Sequence, residues 1–219
     1  MCGRFPQNKS PNRYAEALDP EWTQVNVDLQ PSWNVSPGRD VLVFHDGDAG
    51  HVAELLNWGF LPSWADAKAN QYINARVESA SKKPYFRDAW RSGRCLIPAD
   101  GWYQWKETPK GKQPYFIHRV DDEPVLMAGL YDTNLQTNIT AVVILTMESE
   151  GPLRDIHDRE PVVLSAEAGR RWIARDTSLD EIAAIAQHPL GSDAFAWHTV
   201  STKVNNVKND GAELIARIV

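Results

Sequence analysis

The chain has 219 residues, 42% hydrophobic and 24% charged, with nine tryptophans and no low-complexity tract. This is the composition of a globular protein long enough to bury a proper core, and no apolar run approaches the roughly 18–20 residues that span a bilayer. A formal net charge of −6 argues against bulk nucleic-acid binding, so any such affinity must come from a few placed arginines and aromatic faces.

The N-terminus, MCGRFPQNKS, has no apolar stretch of the secretory kind. Cys2 and Cys95 are too few for a disulfide framework or a cysteine zinc site. A reducing, cytoplasmic setting is expected. Ser10-Pro11 supplies a cap and a first-turn proline, which predicts a short helix over residues 10–18. Asp40–His45 and His51–Phe60 read as strands joined by a turn containing Asp-Gly. Residues 78–92 read as a loop with one or two helical turns. The runs Arg94–Trp105, Pro114–Val120, Val125–Tyr131 and Ile139–Met147 are β-rich, separated by short turns, and suggest an antiparallel sheet that curls or closes. Ser165 can cap a helix over residues 166–174, and Ser178 with Glu181 forms a capping box ahead of residues 179–187. A last strand is expected at Phe195–Ser201. No linker or repeat divides the chain. The expectation is one α+β domain, residues 1–219, built on a curled, barrel-like, mostly antiparallel sheet with peripheral helices.

Cys2 is the most informative residue. A small side chain after Met1 permits its removal by a methionine aminopeptidase, leaving one residue with both a thiol and an α-amine. Their ordinary pKa values, roughly 8.5 and 7.7–8.0, leave a useful fraction of the amine neutral near pH 7.5. An amine condenses with an aldehyde to a Schiff base, and a neighbouring thiol can close a five-membered thiazolidine on it. Position 2 by itself fits the start of a strand equally well.

Three constellations add to this. In Asn74-Ala75-Arg76-Val77-Glu78 an extended backbone puts the amide, guanidinium and carboxylate on one face, able to hold a polar substrate beside a phosphate. A solvated strand with an internal Arg76–Glu78 pair is the plainer reading. His157 and Arg159 likewise share a face if extended, and histidine suits proton transfer at neutral pH. In the segment from Arg94 to Trp105, Arg94–Ala99 reads as a core strand with a buried Cys95, and Asp100-Gly101 as a turn or bulge. Trp102 and Gln104 then oppose Tyr103 and Trp105, and an exposed ring there could stack on a base. Trp58 to Trp64 offers a second aromatic wedge near a Gly-Pro loop.

The segments MCGRF, WNVSPG around Asn34, WGFLPSW, NARVES, RCLIPADGWYQW, IHDREPVVL and VNNVKNDGAELI run in order along nearly the whole chain. Together they resemble the SOS-response-associated peptidase (SRAP) family of abasic-site-shielding proteins. The resemblance implies that Cys2, after loss of Met1, attacks C1′ of the ring-opened abasic deoxyribose in single-stranded DNA and forms a thiazolidine. It implies that Asn74 positions the sugar and that His157 moves protons during ring opening and imine formation. Arg4, Arg76 and Arg159 would hold phosphates, and Trp64 and Trp105 would pack against flanking bases or sugars. Gly3, Asn34, Pro37 and Glu78 are supporting candidates. The working unit is expected to be a monomer without metal or cofactor. One position departs from the family pattern: Gln104 stands where a glutamate is usual, and an amide can carry neither a proton nor a charge. Slower proton-dependent steps, including reversal of the crosslink, are therefore expected. A thiol autopeptidase or peptidase acting through Cys2, and a non-covalent single-stranded DNA-binding module, are the competing readings.

Overall fold

The computed structural model describes residues 2–22, 24–48 and 50–218. Its main sheet rests on strands whose centres are apolar at consecutive positions, as in VLVF of Val41–Phe44, CLIPA of Cys95–Ala99 and AVVIL of Ala141–Leu145, which is the pattern of burial on both faces. β1 (Phe5–Gln7) pairs with β2 (Ser32–Val35). β3 (Asp40–Gly47) and β4 (Gly50–Trp58) form the expected antiparallel hairpin, with Gly47 opposite Gly50. β5 (Asn74–Arg76) is short. β6 (Arg94–Ala99), β7 (Trp102–Thr108), β8 (Gly111–Arg119), β9 (Val125–Asn134) and β10 (Ile139–Glu148) follow. β11 (Arg159–Pro161), β12 (Val163–Leu164) and β13 (Phe195–Thr199) complete the set.

The order β10–β4–β3–β6–β9, closed by pairing of β9 with β10, makes a ring of strands rather than a regular barrel. Most pairs are antiparallel, but β4 and β5 both meet β10 in parallel. Where β9 and β10 diverge, β11 pairs with β10 and β12 with β9. The chain crosses between them at Val162, whose N–H donates to the Leu145 carbonyl while its own carbonyl accepts from Ala128.

Side-chain alternation divides the core in two. Val41, Val43, Cys95, Ile97, Met127, Val142 and Ile144 face one cluster, which also contains Cys2, Phe5, Trp58 and Trp102. Leu42, Phe44, Leu96, Leu126, Val143 and Leu145 face the other, where α1 (Pro11–Leu18), α4 (Ala166–Ile173) and α5 (Leu179–Gln187) cover them through Tyr14, Leu18, Trp172 and Ile182. The N-terminal cysteine therefore packs with the helix-free side of these strands.

The helix caps act as their sequences predict. The hydroxyls of Ser10, Ser165 and Ser178 accept from the N–H groups of Arg13, Ala168 and Glu181. The Glu181 carboxylate does not return to the cap; it accepts from Arg171 at 2.8 and 2.9 Å, so only half of a capping box forms. Residues 78–92 contain α2 (Val77–Ala80) and α3 (Arg87–Ser92). Glu78 thus stands on a helical turn and not in the extended run that would align it with Asn74 and Arg76.

The run Arg94–Trp105 breaks at Asp100-Gly101, and its second half joins a separate sheet of order β13–β8–β7. Gly101 has φ +153°, and a Cβ there would meet the Ile117 carbonyl oxygen at 2.2 Å, so only glycine fits the corner. No helix of the described residues is long and apolar enough to cross a membrane.

Candidate functional site

Four separate stretches of chain supply the site. The segment ahead of β1 carries Cys2, which is fully buried, and runs beside β7, where the Tyr103 N–H donates to the Arg4 carbonyl at 2.9 Å. Burial pushes the Cys2 thiol up to about 12, with a lesser opposing effect from the Arg4 backbone N–H. Asn74, on β5 opposite Ile144, donates its Nδ2 to the Cys2 carbonyl at 2.7 Å. Met1, whose removal is expected, lies outside the described residues.

Arg159 ties the remaining groups together. Its carbonyl accepts from Gln104 Nε2 at 2.7 Å, and its N–H donates to His157 Nδ1 at 3.0 Å. Its guanidinium forms a bidentate pair with Glu78 at 2.7 and 3.0 Å and donates to the Thr146 carbonyl at 2.6 Å. Thr146 pairs with Arg76 of β5, so the same strand contacts reach back to the segment holding Asn74. His157 and Arg159 do not share an extended face: His157 sits in the irregular turn before β11.

The His157 ring has competing partners at one nitrogen. Its Nδ1 meets both the Arg159 N–H and, at 2.9 Å, the carboxylate of the largely exposed Asp158. One nitrogen cannot serve a donor and an acceptor at once. Burial lowers the imidazole pKa and favours the neutral ring, while water can solvate Asp158. The Arg159 N–H is thus the partner from which Nδ1 of a neutral ring can accept. Gln104 and His157 line a cavity of about 750 Å³ together with Trp105, Lys106, Lys112 and Asp158.

Several buried polar atoms lack a hydrogen-bond partner among the described residues: Asn74 Oδ1, Gln104 Oε1, Arg159 Nε and Arg4 Nε. Such groups are costly; Gln104 lines the cavity, where a polar molecule can complete the bonding of its Oε1.

The arginines divide by employment. Arg76 is exposed, and no hydrogen bond or ion pair engages its side chain among the described residues. Arg4 and Arg159, both expected at phosphates, are already engaged within the protein. Arg4 Nη1 donates to Asn34 Oδ1 at 2.8 Å and to the Val204 carbonyl at 2.9 Å. Asn34, in turn, gives its Nδ2 to the carbonyls of Val204, Asn206 and Asn209. The motifs WNVSPG and VNNVKND thus fit each other, with Asn34 at their junction. Pro37 and Gly38 occupy the centre of a turn closed by the Arg39 N–H on the Ser36 carbonyl, and Gly38 has φ +84°, as a type II turn requires. Gly3 is half-buried between Cys2 and Arg4. Trp64 is 57% exposed and lies edge-on to Tyr85, whereas Trp58 and Trp102 are buried. Trp105 is partly buried, its Nε1 held by Asn205 Oδ1 at 2.7 Å. Lys106, Lys112 and Asn205 were not foreseen, since nothing in a surface lysine or a late asparagine signals which cavity it reaches.

The family model for the SOS response associated peptidase (SRAP) matches residues 1–207. The chain belongs to the SRAP family. It is 39% identical to the abasic site processing protein YedK of Escherichia coli, over 98% of this chain and 99% of that one. It is 34% identical to YoqW of Bacillus subtilis, also named an abasic site processing protein, over 98% and 99% of the two chains. Among solved structures, a phage-related protein of Bordetella bronchiseptica superposes with a TM-score of 0.78 at 34% identity, covering 91% of this chain and 94% of that one. A Bacteroides thetaiotaomicron protein, 21% identical, shares the SRAP fold with a TM-score of 0.80, covering 98% of this chain and 100% of its own. No group of three or more His, Cys, Asp or Glu side chains among the described residues is placed to hold a metal ion.

Proposed function

We propose that this chain processes abasic sites in single-stranded DNA by crosslinking to them covalently through Cys2. The observation that carries the reading is the hydrogen bond from Asn74 to the Cys2 backbone, together with the Arg159 backbone that holds Gln104 and His157, two residues that line one cavity. The names of the E. coli and B. subtilis relatives point to the same substrate.

Loss of Met1 frees the Cys2 α-amine. The amine adds to the C1′ aldehyde of the ring-opened deoxyribose; loss of water leaves an imine. The thiol then adds across the C=N bond: sulfur bonds to C1′, and the thiol proton is accounted for on nitrogen, giving a thiazolidine with no redox change. The unpartnered Asn74 Oδ1 can accept from a sugar hydroxyl or the amine. His157, on the cavity wall with Gln104, is the group that moves protons during ring opening and imine formation. Arg76 is an exposed cation for a phosphate, and Trp64 an exposed face for a flanking base. In this reading the protein acts as a monomer in the cytoplasm and needs no cofactor, because both nucleophiles belong to one residue. A peptidase acting on other chains would need a thiolate nucleophile, which burial of Cys2 disfavours.

The test is incubation of untagged protein with a single-stranded oligonucleotide bearing one abasic site, followed by denaturing gels and intact mass. A heat-stable adduct of protein without Met1 plus DNA minus one water is expected, absent with Cys2→Ala and absent with undamaged DNA. Removal of Met1 without any adduct would refute the reading.

A further inference from the structure

Arg4 stands two residues from Cys2, and its guanidinium is committed in a way that leaves no fork for a phosphate. Its two Nη1 hydrogens meet Asn34 Oδ1 at 2.8 Å and the Val204 carbonyl at 2.9 Å. Its Nε is buried without a hydrogen-bond partner. A bidentate phosphate contact uses two neighbouring donors along one edge, and each edge of this guanidinium includes Nη1 or Nε. The backbone of Arg4 is held as well. Its carbonyl accepts from Tyr103, the residue before Gln104, and its N–H donates to the Cys2 sulfur.

The far end of the contact is equally fixed. Asn34 is buried and shares its Nδ2 hydrogens among the carbonyls of Val204, Asn206 and Asn209. Asp210 closes this segment by accepting from Ser32 Oγ at 2.7 Å and from the Trp33 N–H at 2.6 Å. Asn205, next to Val204, takes the indole N–H of Trp105, which lines the cavity with Gln104. Residues 204–210 therefore touch both the strand that carries Gln104 and the arginine that follows the nucleophile.

We propose that Arg4 and Asn34 are positioning residues for Cys2: Arg4 is a strut that fixes the N-terminal segment against β7, and Asn34 anchors the strut to residues 204–210. The crosslinking part of the test rests on the abasic-site reading; the labelling part does not.

The experiment compares wild type with Arg4→Met, which keeps the apolar stem and removes the guanidinium, and with Asn34→Ala. Alkylation of the native proteins by iodoacetamide, located by peptide mass, reads Cys2 and Cys95 separately. Both are buried in one cluster, so Cys95 reports on the fold. Cys2 labelling is expected to rise about 10-fold in either variant at an unchanged Cys95 rate, as local loosening requires. Crosslinking to saturating abasic single-stranded DNA should fall about 10–100-fold, the effect of misplacing a nucleophile, and the double variant should be no slower than the slower single one. Affinity for a tetrahydrofuran analogue, which has no aldehyde, should keep its wild-type salt dependence in Arg4→Met. A slope of log K against log salt shallower by about 0.7, the share of one phosphate on a single strand, overturns the strut and makes Arg4 a phosphate ligand. Cys2 labelling that stays at the wild-type rate, or that rises only together with Cys95, also overturns it. Absence of any adduct from wild-type protein removes the abasic-site reading and leaves the labelling to decide the strut.

Discussion

Restoring the family's usual acid by Gln104→Glu should make stability depend on pH in a way that wild-type protein does not. Gln104 is 2% exposed, and its Nε2 donates to the Arg159 carbonyl at 2.7 Å. A glutamic acid keeps that bond only while protonated; ionised, it sets a carboxylate against a carbonyl oxygen in a buried site. Loss of the donor and burial both raise the pKa, by about 2–3 units for a site of this kind. At about 1.4 kcal/mol per unit, the ionised variant loses about 3–4 kcal/mol relative to its protonated form. The sign follows from the raised folded-state pKa. The variant matches wild type below the unfolded carboxyl pKa of about 4.3, loses stability as pH rises from there, and levels off above the folded-state pKa near 7. Urea denaturation of both proteins at pH 4, 5.5, 7 and 8.5 measures the difference directly. A variant as stable as wild type at pH 8.5 would show that the carboxylate finds a donor which Gln104 does not reveal. The same substitution adds a titratable proton beside His157, so dissociation of the crosslink should become faster and pH-dependent.

Glu160 is buried with one oxygen unpartnered, and burial raises its pKa to about 7. Glu160→Gln should therefore match wild type at pH 4 and exceed its stability by about 1–3 kcal/mol at pH 8, as read by denaturation. At Glu78 burial works upward, but the Arg159 hydrogen bonds outweigh it and the net direction is down. Its contribution is present above the unfolded carboxyl pKa and disappears as pH falls through the folded one. Because the carboxylate is half-exposed, Glu78→Gln should cost only about 1–2 kcal/mol at pH 7, with the deficit closing by pH 3. Crosslinking should slow as well, since Arg159 holds both Gln104 and His157. Asn34→Ala removes one side chain from Arg4 and three carbonyls, and should cost about 2–4 kcal/mol. Limited proteolysis should then cut first within residues 202–210.

What could be read from the sequence is what short-range chemistry determines. Ser10, Ser165 and Ser178 each cap a helix because the hydroxyl meets an N–H three residues on. The β3–β4 hairpin was legible because its turn residues lie between two apolar runs. The parallel contacts of β4 and β5 with β10 were not, since a parallel pair has no tight turn to announce it. Arg94 reads as the polar edge of a core strand, yet its buried guanidinium donates to carbonyls of Trp90, Arg91, Trp172 and Ala174, tying together the C-terminal ends of α3 and α4. At the candidate site, Cys2 and Asn74 were singled out by motif, and the structure adds a hydrogen bond from the Asn74 side chain to the Cys2 carbonyl. The employment of Arg4, Asn34 and Arg159 was hidden because their partners lie far away in sequence, and composition carries no trace of such pairings. Glu78 was misaligned because a strand period was extended two residues past Arg76 into a helical turn.

Burial of Cys2 bears on why an amine and a thiol on one residue make a better pair than either group alone. With its pKa pushed up by burial, the thiol is scarcely ionised at pH 7. A mechanism opening with thiolate attack bears that deficit at its first step. If the amine attacks first, the thiol meets an electrophile already bonded to its own residue, and closure is intramolecular. Effective molarities for well-oriented closures reach about 10⁵–10⁸ M, enough to offset the scarcity of thiolate. On the proposed mechanism the buried sulfur stays protected from stray oxidants and aldehydes until the amine has captured a sugar, and the same burial favours an aldehyde over a peptide bond as the target.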